Sequence, residues 1–334
     1  MTVTVLKSAV SQDIHFSQIH ASPNQINPAL TGLFNGGLRF IGNYKNQWKS
    51  VTADYNTYFA SLDGKILYSN NHDFVSAGIK AYSDNAGDLN FSKKEASAAL
   101  AVTKSINQTF ENYITIGTEL GWMSQSADLS KAHGLDNEFD PSIVAANSQN
   151  ALDFSAGINW HFKVNKMLFY AGTALYHINR PTLGSSDANT QERLYRKVVV
   201  NAGGEIKASS RITVMPSLIY YYQGPYREIT SGTYIRHKLN TSEFGGRRFF
   251  YYGAWLRWYH SLEFNSGYDA VIAAVRLDNG SFSYSVSYDV TVSSLTNTGK
   301  FTGSPEFSII YIMDEKVGLN IHGPKRVNTN CPEF

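Results

Sequence analysis

The chain has 334 residues, of which 17% are charged and 13% aromatic, with a formal charge of +2. That near-neutral balance, with no Lys/Arg run, excludes a dedicated nucleic-acid binder, and a single cysteine excludes internal disulfides and Cys-rich metal sites. The charged fraction is below the roughly 25% of soluble domains, yet no run approaches the ~20 apolar residues of a membrane helix.

Residues 1–11, MTVTVLKSAVS, contain Lys7 and lack the apolar core of a signal peptide. Ala9 and Ser11 nevertheless stand where a signal peptidase prefers small residues, so Gln12 is the expected mature start and 1–11 a signal-peptide remnant or non-native start. Residues 12–35, QDIHFSQIHASPNQINPALTGLFN, carry Pro23 and Pro28, each of which removes a backbone donor. This segment reads as an extended periplasmic or lumenal leader. Its candidate plug contacts are Ile14, His15, Phe16, Gln18, Pro23, Asn27 and Pro28, with Ile14 and Phe16 anchoring it at the periplasmic mouth. The stretch HFSQ (15–18) is alternatively a recognition element.

From residue 36 to 313 segments alternate between apolar and small polar residues, the period of a two-faced strand, with 211–222 and 248–259 alternating less cleanly. Strands are predicted at 36–47, 53–65, 73–84, 92–104, 111–124, 151–163, 166–178, 197–208, 211–222, 230–240, 248–259, 268–277, 280–293 and 304–313. The clearest is SFSYSVSYDVTV (281–292), where Phe282, Tyr284, Val286, Tyr288, Val290 and Val292 oppose serines, Asp289 and Thr291. Asp153 and Glu119 likewise fall on small-polar faces, where a wet interior removes the ~2–4 kcal/mol cost of a charge against mid-bilayer lipid. Pro216 demands a bulge or strand end. The aromatic clusters 219–226 and 247–260 suit interfacial girdles, with a sugar- or partner-binding surface as the alternative.

The connections sort by side. The two longest, 125–150 and 179–196, follow the fifth and seventh strands, whereas the tight turns 163–167, 208–211 and 277–280 follow the sixth, eighth and twelfth. Long outer loops and short inner turns are the pattern of an outer-membrane barrel, and a soluble sandwich has no reason to follow it. The fold expected is all-β: a transmembrane barrel of about 14 antiparallel strands over 36–313, with long loops extracellular and both termini periplasmic. Residues 314–334 read as a short periplasmic tail, docked through Cys331, Pro332 and Phe334, with a reactive thiol or an intermolecular disulfide as the alternative for Cys331.

Nine scattered histidines form no HExxH pair, and no G-x-S-x-G occurs, so no catalytic residue, cofactor or metal is expected. A lumenal Ser–His site of the phospholipase kind is the enzyme alternative.

The block QDIHFSQIHASPNQINPALTG (12–32) resembles the N-terminal signature of the PorP/SprF family of the type IX secretion system of Bacteroidota. The likeness continues through GNYKNQW (42–48), YNTYFASLDGKI (55–66), HINRP (177–181) and PSLIYYYQ (216–223). It ends with SYSVSYDVTVSSL (283–295), PEFSIIY (305–311) and CPEF (331–334). The resemblance implies an outer-membrane barrel that supports secretion or surface attachment of an adhesin carrying a type B C-terminal domain. Its partners would be outer-membrane lipid, that adhesin, and other secretion or gliding components. A diffusion channel is the alternative on architecture alone, and a soluble β-rich adhesion module is a third reading.

Overall fold

A computed structural model describes residues 13, 16–47, 55–69, 73–86, 91–107, 111–126, 149–183, 193–239, 248–261, 266–292, 303–313 and 331. Of the segments predicted from sequence, 1–11 and nearly all of 314–334 lie outside these. The strands are β1 (Leu38–Gln47), β2 (Tyr55–Tyr68), β3 (Phe74–Ala86), β4 (Phe91–Ser105), β5 (Asn112–Ser126), β6 (Gln149–Val164) and β7 (Met167–Tyr176). They continue as β8 (Lys197–Lys207), β9 (Ile212–Gln223), β10 (Tyr226–Lys238), β11 (Arg248–Ser261), β12 (Ser266–Asn279), β13 (Phe282–Thr291) and β14 (Gly303–Met313). Each pairs antiparallel with its sequence neighbours, and β1 pairs with β14, so the sheet closes. Closure leaves no unpaired edge, which is what a sheet in hydrocarbon requires.

Alternation sets the two faces as the sequence predicts. Along β13, Ser283, Ser285, Ser287 and Asp289 are buried inside, while Tyr284, Val286 and Tyr288 are exposed on the outer surface. The interior is closely filled, so "inside" here means protein contact and not open water.

Each two-residue turn begins with a left-handed residue: Asn165 at φ 56°, Gly224 at 55° and Gly280 at 64°. Such turns match the twist of the strands they join. The Gly224–Pro225 turn corrects one sequence boundary, because β10 starts at Tyr226 and pairs at once with Gln223. Alternation missed it because Tyr226–Ile229 read as loop after Gly-Pro. Pro216 also departs from expectation: it lies inside β9, opposite Thr233 of β10. Instead of a bulge, the β8–β9 ladder lapses there, between the Gly203–Ser217 and Ile206–Val214 pairs. The missing proline N–H therefore costs no ladder bond on that side.

Links after odd-numbered strands share one rim, and links after even-numbered strands share the other. The first, where the ends of β5 and β7 are followed by the longest links, is the long-link rim and also carries the two-residue turn 224–225; the second is the short-turn rim, holding 165–166 and 280–281. A charge placed on the outward face tests the assignment of faces. Val286→Arg, in the middle of β13, should cost about 2–4 kcal/mol in reversible unfolding from lipid vesicles. Ser287→Ala, facing inward, should cost much less in the same measurement.

Candidate functional site

The barrel's interior is occupied by its own leader. Residues 16–37 run through the lumen from the long-link rim to the start of β1, and Phe16 to Phe34 are buried throughout. Short helical turns compact the segment: Ile19–Ala21, α1 (Pro23–Ile26) and Pro28–Leu30. Pro23 and Pro28 each stand at the first helical position, where the missing N–H would have had no partner anyway. The Asn27 side chain accepts from Ala29 N at 2.9 Å and caps the third turn.

The leader is fixed at successive depths. At the long-link rim, the Asp13 carboxylate meets Lys93 Nζ at 2.5 Å, His177 Nε2 at 2.7 Å and Lys197 Nζ at 3.4 Å. His177 Nδ1 lies 3.0 Å from Asp153 on β6. One level deeper, Ser17 N and Gln18 N donate to the two carboxylate oxygens of Glu306 on β14, at 2.8 and 3.2 Å. The Ser17 hydroxyl donates to Asp289 at 2.5 Å and accepts from Arg257 at 2.8 Å and Lys45 at 3.0 Å. Gln18 Oε1 accepts from Ser285 at 2.5 Å and Ser308 at 2.9 Å. Lower again, Lys80 donates to Asn24 O at 3.0 Å while pairing with Glu119 at 2.9 Å. Near the short-turn rim, Gly32 N donates to Asp63 at 2.7 Å, and Asp63 also holds Arg39 at 2.8 Å, with both side chains fully buried.

Apolar contacts fill the remaining space. Ile19, Ile26, Leu30 and Leu33 join a cluster with wall residues such as Tyr170, Met215 and Trp255. Phe16 packs edge-on against Phe59, with ring centroids 5.5 Å apart. Two glycines make room for the third turn. A Cβ at Gly117 would fall 2.5 Å from the backbone of Pro28, and one at Gly157 would collide with the Asn27 side chain.

Several sequence expectations change here. Phe16 does not anchor the leader at the short-turn mouth: its partners Phe59 and Tyr82 lie in the half of the lumen nearer the long links. Asp13, the first described leader residue, sits at the long-link rim, so the leader does not begin on the same side as the short turns. The reason is the ring of cations at that rim, which the carboxylate needs once buried. Gln18, Pro23, Asn27 and Pro28 all lie within the lumen, whereas Ile14, His15, Pro332 and Phe334 are outside the described residues. Cys331 is buried near the short-turn rim, where its carbonyl accepts from Asn35 at 3.1 Å. The aromatic cluster 247–260 is not a pure girdle. Tyr251 and Trp255 point inward with Arg257, while Phe250, Tyr252 and Leu256 face outward. Sequence reading passed over Lys93, Arg257, Asp289 and Glu306 as leader contacts. Strand parity was the available signal, since it places Asp289 among inward serines.

Burial alone would push the Asp13 carboxyl up, but Lys93, His177 and Lys197 outweigh it and hold the group well below the ordinary carboxylate range. Burial alone would lower His177, but Asp13 and Asp153 raise it to about 9. A raised histidine contributes its full stabilisation below about pH 6.5 and loses it as pH rises through about 9. The depressed Asp13 carboxyl contributes above its ordinary value and is lost on strong acidification. The clamp is therefore complete from about pH 4 to 6.5 and weakens on the alkaline side, where Lys93 and Lys197 still hold Asp13.

The His177 imidazole, followed by NMR, should titrate near pH 9, and Asp13→Asn should bring the midpoint back toward 6.5. An unmodified midpoint near 6.5 would contradict the clamp. At the other end, Asp63→Ala should destabilise the barrel by roughly 3–5 kcal/mol in denaturant titration, because it strands the buried Arg39 guanidinium.

The sequence profile of the family described as type IX secretion system membrane protein PorP/SprF matches residues 8–311. No curated protein sequence matches the chain. Among solved structures, the barrel is similar to the CymD monoaromatic hydrocarbon channel, with a TM-score of 0.53 and 9% identity, covering 88% of this chain and 93% of that one. It is also similar to a deletion mutant of the TodX monoaromatic hydrocarbon channel, with a TM-score of 0.52 and 10% identity, covering 85% and 91%. The toluene transporter TbuX of Ralstonia pickettii gives 0.50 and 9%, covering 88% and 94%. Identities this low speak to the fold alone.

Proposed function

The chain belongs to the PorP/SprF family of type IX secretion system membrane proteins, and on that premise we propose that this outer-membrane barrel is a non-enzymatic docking platform for a secreted protein. The partner in this reading is a secreted adhesin held through a type B C-terminal domain, and other secretion or gliding components connect to the same barrel. The rim at the ends of β5 and β7 faces the exterior in this reading and is where the partner would make contact.

The observation that carries the reading is the filled lumen. A diffusion channel needs a continuous wet path, and here Ser17, Gln18, Asn24 and Asn27 of the leader are all buried against the wall. A barrel whose interior is committed to its own chain has only its rims and outer face to offer a partner. The family supplies the class of partner, and the occluded interior supports holding over conducting.

Mild-detergent capture of the tagged protein from native outer membranes, followed by mass spectrometry, tests this. A large secreted protein with a C-terminal sorting domain should be recovered in near-stoichiometric amount, and the purified barrel should show no steady conductance in planar bilayers. Recovery of the barrel alone, with open-channel conductance, would overturn the platform reading in favour of the channel.

A further inference from the structure

The outward face carries a feature that the secretion reading does not use. On β1–β5 the cross-strand register aligns Gly42, Ala60, Ala81 and Ala96 in one row that ends at Trp122. Toward the short turns, Phe40, Leu62, Ile79, Ala98 and Leu120 form one bank, large except at Ala98. Toward the long links, Tyr44, Tyr58, Ser83, Lys94 and Ser124 form the other, also in register. A groove of about 710 Å³ lies over Ala60, Ala81, Ala96 and Trp122 and against the first bank, and the second bank stands one outward position beyond its lining.

Three properties define its occupant. The lining is apolar and faces hydrocarbon, so water gains nothing there. Strands about 4.8 Å apart put the row from β1 to β5 at roughly 19 Å, the reach of an extended fatty-acyl chain. Lys94 is exposed on the bank nearest the rim, with Ser83 and Ser124 as its register neighbours. Among the described residues, the outward positions of β1–β6 carry no carboxylate, and Asp63, Glu95, Glu119 and Asp153 all point inward. Lys94, one outward position from Ala96, therefore stands at the groove's edge as the cation for a phosphate.

We infer that this groove binds a phosphate-bearing membrane lipid, its acyl chain along the small-residue floor and its phosphate at Lys94. A second groove, of about 590 Å³ and lined by Thr233, Ala254, Ala273 and Tyr288, supplies an internal contrast. Its neighbouring outward rows, which run through Leu256 and Val271 on one side and Tyr252 and Val275 on the other, carry no charge. Shape alone would fill both grooves with any lipid. Charge singles out the first for an anionic one.

Native mass spectrometry of the full-length barrel released from detergent micelles tests the assignment, with dioleoyl phosphatidic acid, dioleoylglycerol and inorganic phosphate as probes. The wild type should retain one phosphatidic acid in preference to dioleoylglycerol and no inorganic phosphate. Lys94→Gln should weaken phosphatidic acid retention by roughly fivefold, the scale of one lysine at a membrane surface. Ala81→Phe with Ala96→Phe should abolish it, and Ala273→Phe in the second groove should leave it unchanged. Equal retention of the two lipids, retention indifferent to both β3–β4 variants, or a second protein copy in place of lipid would overturn the inference. All four positions face lipid, and heat-modifiable gel mobility verifies that each variant is still a closed barrel.

Discussion

Charges at membrane depth have to meet either water or an opposite charge, and this barrel offers its inward charges very little water. Its inner wall carries Arg39, Lys45, Lys80 and Arg257 opposite Asp63, Glu119, Asp289 and Glu306, all buried. Isolated in a low dielectric, any one of them would cost several kcal/mol. The leader makes the arrangement tolerable. Its backbone N–H and C=O groups and its short polar side chains fill the gaps between ion pairs that the wall cannot close alone.

The same contacts settle what kind of object the interior is. Buried ion pairs gain little net stability over well-packed apolar residues. What they supply here is register. Glu306 takes the N–H groups of Ser17 and Gln18 together, while Asp289, Arg257 and Lys45 converge on one hydroxyl. A one-residue slip of the leader would break every one of these at once. Apolar contacts alone would let the segment slide, and the polar lattice holds it at a single depth.

Much of this was readable from sequence, and the limits have physical causes. All fourteen strands show in the alternation, because a barrel wall with lipid outside and polar groups inside imposes a period of two on every crossing. The start of β10 escaped because Gly224–Pro225 reads as loop, although a two-residue turn needs only a left-handed first residue. The prolines marked 12–35 as something other than wall. Nothing local in that segment told its depth or direction, because both are set by charges far away in sequence. Asp13 finds Lys93, His177 and Lys197, and Ser17 finds Asp289. Parity could place Asp289 and Arg257 inside the barrel, but it could not say which leader atom each would meet.

The two ends of the leader are held by different physics, and this orders how the interior could open. At the short-turn rim, Asp63 grips both Gly32 N and a guanidinium, and the chain passes directly into β1, so nothing can leave there without unpairing the wall. At the long-link rim, the hold is a side chain. Asp13 is the first described residue of the leader, and on the alkaline side its clamp loses the charge of His177 while Lys93 and Lys197 still hold it. The level of Ser17 is held separately by Glu306 and Asp289, so the loss of charge at His177 leaves those contacts in place.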